Sequence, residues 1–138
     1  MLRGDLIHPS ILKVLGSAGH GSGILIADGN YPFISRANPA AERVYLNLAP
    51  GLLSVTDILK PLLTAIPIEA AHVMVADNGA VPIHQEFAAM LPDIELQSHK
   101  RFPFYDLCKG DDVALVIASG EQRIYANILL IIGVVKPT

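Results

Sequence analysis

The 138-residue chain has a single cysteine and no tryptophan. One cysteine excludes an internal disulfide framework and a cluster of thiolate metal ligands, and it suits a reducing cytoplasm, where we expect the protein to reside. This residue, Cys108, follows Phe104 and Leu107 in an apolar stretch of helical character. A lone thiol in such a stretch is typical of a hydrophobic core, so we predict no chemical role for Cys108.

Charge is scarce as well. Charged residues make up 17% of the chain, the net charge is −3, and lysine and arginine form no cluster. This balance argues against nucleic acid or an anionic membrane surface as the partner. The longest apolar run, 127–135, is far shorter than the roughly 18 residues of a membrane span, and the first five residues lack the pattern of an export signal. The balance favours a small neutral ligand.

The apolar content is high, at 51% of residues. With so few charges, part of the surface must be apolar, which indicates contacts between subunits. The alternative is a monomer whose buried parallel strands account for the apolar residues. We expect a homo-oligomer.

Several common chemistries lack their motifs. Gly16, Gly19, Gly21 and Gly23 do not fit a dinucleotide fingerprint, no phosphate-loop lysine is present, and Ser22 lacks the spacing of a nucleophile elbow. No two histidines stand at a spacing typical of a metal site; they are His8, His20, His72, His84 and His99. The sequence therefore predicts neither a metal nor a cofactor.

Apolar runs separated by turn residues predict strands that alternate with helices. The strands cover about residues 24–27, 43–48, 72–76, 94–97, 113–118 and 127–132, and the helices about 9–18, 54–67 and 82–91. Ser54 and Asp57 have the spacing of a capping box at the start of the second helix. We predict one α/β domain over residues 1–138, with a mostly parallel or mixed sheet of about six strands and helices on both faces.

Ligands of open α/β sheets bind beyond the carboxyl ends of the strands. We expect this region to be formed by the glycine-rich turn at 19–23, the loop after the strand that ends before Asp28, the segment 100–105 and the connection 119–127. His20 lies between glycines in the turn, eight residues before Asp28, and this pair by itself is a weak signal. It equally fits a solvated histidine in a turn that ends a helix and an aspartate that caps a local turn. The more specific features are Arg101-Phe102-Pro103-Phe104-Tyr105 and Tyr125-Ala126-Asn127.

In this order and spacing, the segments resemble the family of bacterial ribose pyranase and fucose mutarotase. The resemblance covers about residues 9–31 and 101–133, whereas 36–98 carries no motif of that family. It implies a small isomerase that interconverts forms of a free monosaccharide without a cofactor, and a ring-like homo-oligomer, a decamer. Arg101 and Tyr105 lie in a segment closer to the fucose branch, although Ser22 stands where that branch carries an acidic residue.

The resemblance also implies roles for individual residues. His20 matches the general acid, Asp28 the sugar-binding aspartate, and Tyr125, Ala126 and Asn127 the residues that line the pocket. Arg101 and Tyr105 are added as substrate-binding residues.

These roles suit the chemistry of anomer exchange, in which the sugar ring opens as one group donates a proton and another accepts one. A histidine can do both near neutral pH because its ordinary pKa is about 6.5. We expect Asp28 to orient the His20 ring or to accept a sugar hydroxyl, and Tyr125 to relay the second proton. Asn127 and Arg101 would hold sugar oxygens, and candidates to stack on the sugar are Tyr31, Phe102, Phe104 and Tyr105.

Three alternatives remain open at this point. The substrate can be D-ribose instead of L-fucose or a related sugar. The chain can be a non-catalytic monosaccharide-binding module, or an oligomeric scaffold whose motifs are accidental.

Overall fold

The structure is a computed structural model that describes residues 1–138 and contains four helices and six strands. The helices are α1 (Pro9–Ser17), α2 (Val55–Ala65), α3 (Ile83–Met90) and α4 (Arg101–Cys108). The strands are β1 (Gly23–Ala27), β2 (Glu42–Tyr45), β3 (Ile68–Met74), β4 (Leu96–His99), β5 (Val113–Ala118) and β6 (Ile128–Ile132). None of the four helices has the length and hydrophobicity to cross a membrane.

The six strands form one sheet in the order β2-β5-β1-β6-β3-β4. Neighbouring strands pair in parallel except for β6, which is antiparallel to both β1 and β3. The prediction of a mixed sheet of about six strands is confirmed. Because β6 runs the other way, its first residue lies at the edge of the sheet where β1 and β3 end.

Alternate residues of the strands pack on opposite faces of the sheet, as strand geometry requires. Ile24 and Ile26 of β1 belong to a large core cluster with α1, α2 and α3. Leu25 and Ala27 belong to a smaller cluster with Phe104 and Cys108 of α4. The sheet is therefore covered by helices on both faces, as predicted.

Three strands have boundaries that differ from the prediction by two residues or more. β2 ends at Tyr45 instead of residue 48, β3 covers 68–74 instead of 72–76, and β4 covers 96–99 instead of 94–97. The segment Glu69-Ala70-Ala71 has little of the β-branched character that identifies strands. It is held in the sheet by pairing with β6, which continues past the strand end as Gly133 N–H donates to the Pro67 carbonyl oxygen.

The segment 100–105 was expected to be a connection, but it is the start of α4, with Lys100 at the N-cap. Phe104 and Cys108 are one helical turn apart and fully buried, so the helix forms around its contact with the sheet. Burial raises the pKa of the Cys108 thiol to about 12. The prediction that Cys108 belongs to the core is confirmed.

The capping box predicted at the start of α2 is present. The Ser54 hydroxyl accepts from Asp57 N–H, and the Asp57 carboxylate accepts from Ser54 N–H. Next to this cap, the buried Glu121 carboxylate accepts from Val55 N–H. The connection that follows β5 is thus joined to the start of α2.

Gly120 fixes the same connection against the loop at 49–53. Gly120 N–H donates to the Leu53 carbonyl oxygen, and Gly51 N–H donates to the Gly120 carbonyl oxygen at 2.7 Å. A Cβ at position 120 would collide with the carbonyl oxygens of Leu52 and Ala49. Two backbone segments can therefore approach this closely only because residue 120 has no side chain.

We expect Gly120→Ala to lower the free energy of unfolding by about 2 kcal/mol or more, because backbone atoms have to move. Gly16→Ala is the matched control, since Gly16 lies in α1 with no atom near its added Cβ. That change should raise the free energy of unfolding by about 0.5 kcal/mol, because alanine has the higher helix propensity. Urea unfolding measures both, and equal stability of the two variants would contradict the close approach at Gly120.

Candidate functional site

A pocket of about 250 Å³ lies at the edge of the sheet where β1 and β3 end and β6 begins. This volume is slightly below the roughly 300–1,000 Å³ of sites for drug-sized ligands, so the pocket suits a smaller ligand. The side chains around it combine one carboxylate, one guanidinium, amides and aromatic rings: Asp28, Asn30, Tyr31, Met74, Arg101, Tyr105, Ile124, Tyr125 and Asn127. The structure thus brings together six of the predicted residues, namely Asp28, Tyr31, Arg101, Tyr105, Tyr125 and Asn127.

Asp28 follows β1 directly and is 3% exposed. Its Oδ1 accepts from Asn30 N–H at 2.9 Å, and its Oδ2 accepts from Ala126 N–H at 3.3 Å. Burial raises the pKa of this carboxyl, while the hydrogen bonds from Asn30 and Ala126 oppose the rise. Each carboxylate oxygen keeps a further lone-pair direction with which to accept from a ligand hydroxyl.

Asn127 stands beside Asp28 at the start of β6 and is 2% exposed. Its Oδ1 accepts from Asp28 N–H at 2.7 Å, which fixes the orientation of the amide. Its Nδ2 has only the weak Met74 sulfur acceptor, at 4.0 Å. The carboxylate and the amide therefore present an acceptor and a donor side by side, a pair that suits a vicinal diol.

Tyr125 is the one residue other than glycine with a positive φ, at 59°. A non-glycine residue in this region is uncommon, and such conformations concentrate at functional sites. The Arg101 guanidinium donates from Nη2 to the Tyr125 hydroxyl at 2.9 Å and lies 5.5 Å from the ring centroid. Because the phenol oxygen already accepts this bond, its own proton is available to a ligand.

Aromatic rings form one wall of the pocket. Tyr31 and Tyr105 meet edge to face at 5.4 Å, and Arg36 lies over the Tyr105 ring at 5.4 Å. Of the four predicted stacking candidates, these two tyrosines line the pocket, Phe102 lies 62% exposed outside it, and Phe104 is fully buried in the core.

Ala126 contributes through its backbone only. Its side chain is buried in the larger core cluster, while its N–H holds the Asp28 carboxylate. Sequence reasoning did not find Asn30, Met74 and Ile124. Asn30 could have been found from its place in the loop after β1, and Met74 could not, because the end of β3 was predicted two residues too late.

The turn at 19–23 does not lie with the other segments. It precedes β1, so it lies at the opposite edge of the sheet from Asp28, and its predicted place beyond the strand ends is wrong. A five-residue strand separates the two, about 16 Å at roughly 3.3 Å per residue. Asp28 therefore does not orient His20 within one chain.

His20 has a different partner. Its Nε2 lies 2.9 Å and 3.0 Å from the two carboxylate oxygens of Glu69, the second residue of β3. Both side chains are largely accessible, at 61% and 44%. His20, the predicted acid or base, therefore lies on the surface of the chain, where it is hydrogen-bonded to the Glu69 carboxylate.

Two other histidines meet despite their distance in sequence. His72 Nδ1 and His99 Nε2 are 2.9 Å apart on the paired strands β3 and β4. Burial and the neighbouring His99 lower the pKa of His72. No group of three or more histidine, cysteine, aspartate or glutamate side chains is placed to hold a metal ion.

Fold and site together define a small α/β protein with a polar pocket at the carboxyl ends of its parallel strands. Residues 1–135 match the RbsD / FucU transport protein family, and the chain belongs to that family. D-ribose pyranase of Variovorax paradoxus is 29% identical over 141 residues, which cover 97% of this chain and 98% of that protein.

Two solved structures share the fold over nearly the whole chain. RbsD of Bacillus subtilis complexed with D-ribose has a TM-score of 0.85 and 25% identity, covering 99% of this chain and 100% of that one. The fucose mutarotase of Streptococcus pneumoniae in complex with L-fucose has a TM-score of 0.81 and 27% identity, with the same coverage. The prediction of an isomerase of the sugar-mutarotase type is confirmed.

The hydrogen bond between Asn127 and the Asp28 backbone can be tested by Asn127→Ala. This change leaves the buried Asp28 N–H without an acceptor, and we expect the free energy of unfolding to fall by about 1–3 kcal/mol. Asn47→Ala removes an exposed amide at the same edge of the sheet and should change it by less than about 0.5 kcal/mol. Urea unfolding of the two variants would show no difference if the Asn127 amide were not structural.

Proposed function

We propose that this chain interconverts the anomers of a free monosaccharide, L-fucose or a related sugar, by acid–base ring opening without a cofactor. The observation that carries the proposal is the pairing of the buried Asp28 carboxylate with the Asn127 amide, next to the Arg101–Tyr125 pair. All four groups address hydroxyl oxygens, and none of them requires a charged ligand. A reducing cytoplasm stays the expected compartment.

Ring opening needs two proton transfers. The anomeric hydroxyl loses a proton as the carbonyl forms, and the ring oxygen gains one as its bond to the anomeric carbon breaks. Tyr125 is placed to donate the second proton, since its oxygen accepts from Arg101 and a phenolate formed there would lie beside a permanent positive charge. Asp28 and Asn127 would hold hydroxyl groups away from the reacting bond, and Ala126 would hold Asp28.

The first proton requires a base that titrates near neutral pH, and no histidine lines the pocket. We therefore place His20 of a second copy of the chain over the pocket. His20 is exposed at the edge of the sheet opposite to Asp28, so one copy can offer its His20 edge to the pocket edge of the next. A contact between two different surfaces repeats around a ring when the rotation closes.

The rim of the pocket suits such a contact. Ile124 lines the pocket and is 65% exposed, and Phe102, which packs edge to face against the pocket residue Tyr105, is 62% exposed. Exposed apolar side chains grouped in this way support a contact with another protein. This arrangement supports the ring-like homo-oligomer that we propose, with a decamer as its size.

Two acid–base groups can account for the rate acceleration that anomer exchange requires. Positioned acid–base catalysis contributes roughly 10²–10⁴ per group, and sugars already exchange anomers without a catalyst. Two groups, His20 and Tyr125, are sufficient.

D-ribose is the second candidate substrate, because a structural relative of this chain is complexed with that sugar. Arg101 and Tyr105 favour fucose, since they lie in the segment that resembles the fucose branch, and both line the pocket. A non-catalytic sugar-binding module would use the same pocket without any need for His20.

We expect wild-type protein to accelerate exchange between the α and β anomers of one free sugar, with L-fucose ahead of D-ribose. His20→Gln should lose most of this acceleration, by roughly 10²-fold or more, because the group that transfers the proton is gone. Proton saturation transfer between the anomeric signals measures the rate. Binding of a sugar without acceleration by the wild type would instead favour the binding module.

The shared site predicts complementation between two inactive variants. His20→Gln has an intact pocket and Asp28→Asn has an intact His20, so mixed oligomers contain some complete sites, about a quarter at equal amounts if each site draws on two chains. We expect exchange activity to return when the two variants are refolded together. Each variant refolded alone is the control, and a mixture as inactive as both would place the complete site within one chain.

A further inference from the structure

Arg123 joins two carboxylates behind the pocket. Its Nε donates to Glu121 Oε1 at 2.7 Å and its Nη2 donates to Glu121 Oε2 at 3.2 Å, so the guanidinium and the carboxylate meet fork to fork. The Arg123 backbone N–H donates to the same carboxylate at 3.2 Å. From Nη1 the side chain also donates to the Glu86 carboxylate on α3. The three side chains therefore form one ionic network with Arg123 at its centre.

Glu121 is the fixed member of this network. Its side chain is 4% exposed, and its Oε2 also accepts from Val55 N–H at 3.1 Å. Its backbone carbonyl oxygen accepts from Gly29 N–H, in the loop that follows β1. Burial would raise the pKa of the Glu121 carboxyl, but the hydrogen bonds from Arg123 and Val55 outweigh burial and hold this pKa below its ordinary value. Arg123 is thus anchored to an ionised group at a rigid point of the fold.

The strained part of the connection follows two residues later. Tyr125 has a φ of 59°, a conformation that costs free energy for a residue with a side chain. Such a conformation persists only where the surrounding structure fixes the chain around it. On one side, Ala126 N–H is held by the Asp28 carboxylate at 3.3 Å. On the other side, Ile124 is 65% exposed, so the anchored residue is Arg123.

The geometry points to a positioning role for Arg123: we propose that its two salt bridges hold the chain in the turn that presents the Tyr125 phenol to the sugar. Without the guanidinium, the turn can relax to a negative φ, which moves the phenol away from Arg101, its hydrogen-bond donor. Arg123 itself exchanges no proton and does not line the pocket. The inference rests on the proposed function, in which Tyr125 donates a proton to the ring oxygen.

The network also gives α3 a part in the reaction. No residue of this helix lines the pocket. Glu86 lies on its exposed side, and its carboxylate meets the Arg123 guanidinium. Loss of this outer salt bridge alone should therefore loosen the turn less than loss of the guanidinium.

The test removes the network in steps. Arg123→Met removes both salt bridges, Arg123→Lys keeps the charge without the fork, and Glu86→Gln weakens the outer salt bridge alone. Arg3→Met is the matched control, because Arg3 is exposed and makes no side-chain hydrogen bond or salt bridge. Urea unfolding first shows that each variant is folded. Glu86→Gln carries the comparison if Arg123→Met does not fold.

We expect kcat for anomer exchange to fall roughly 10-fold in Arg123→Met and roughly 3-fold in Glu86→Gln, since a small displacement of the proton donor slows the transfer. Arg123→Lys should lie between the wild type and Arg123→Met. KM should stay within about 2-fold, because Asp28 and Asn127 still hold the hydroxyl groups. Arg3→Met should match the wild type.

A double-mutant cycle separates positioning of the phenol from a general loosening of the pocket. Tyr125→Phe removes the phenol oxygen, so adding Arg123→Met to it should lower kcat by less than about 2-fold. A purely structural role for Arg123 would lower kcat by the same factor with and without the phenol.

Two results would overturn the inference: a kcat of the folded variants at position 123 or 86 equal to that of Arg3→Met, or an equal loss of kcat with and without the phenol. If the wild type accelerates the exchange of no sugar, the proposed function itself fails. A crystal structure of Arg123→Met then tests the inference alone. Tyr125 should have lost its positive φ and its hydrogen bond with Arg101, and an unchanged Tyr125 would refute the positioning role.

Discussion

The insertion of one antiparallel strand into an otherwise parallel sheet is the constraint on which this molecule depends. β6 separates β1 from β3 and runs against both. At one edge its start places Asn127 against the Asp28 backbone, and at the other its end joins the His20 turn to the start of β3. A parallel strand in the same position would bring neither pair together. Both ends of the proposed chemistry are thus held by a five-residue element.

Burial of the Asp28 carboxylate in the pocket costs free energy. Burial of Asp28 disfavours its charge, and the hydrogen bonds that oppose this come from the backbone of Asn30 and Ala126. Backbone donors cannot rotate away, so the carboxylate stays fixed with or without a ligand. The arrangement makes Asp28 a suitable fixed acceptor for a hydroxyl, and it leaves proton transfer to more accessible groups.

Much of the pocket could be predicted from the sequence because its residues follow a general rule. Asp28 directly follows one short apolar strand, and Asn127 directly precedes another. The end of one strand and the start of its antiparallel neighbour lie at the same edge of the sheet. Arg101 and Tyr105 were found through the aromatic segment, although their helix was not, since α4 forms only by packing Phe104 and Cys108 on the sheet. Family resemblance, and not periodicity, singled out His20.

Other parts of the site could not be predicted. Glu69 lies in a strand of small residues that was predicted to begin at residue 72, so nothing in the pattern directed attention to it. The distance between His20 and Asp28 depends on which edge of the sheet each occupies. His20 and Asp28 are only eight residues apart in sequence, but the extended strand β1 between them places them at opposite edges of the sheet.

The left-handed backbone at Tyr125 has a consequence for how the protein can evolve. Glycine or asparagine adopts this conformation at lower cost than tyrosine, so selection for thermal stability alone would favour replacing Tyr125. That replacement would remove the phenol that Arg101 holds at the pocket. A tyrosine at position 125 therefore distinguishes proteins of this fold that are under selection for catalysis from those under selection for stability alone.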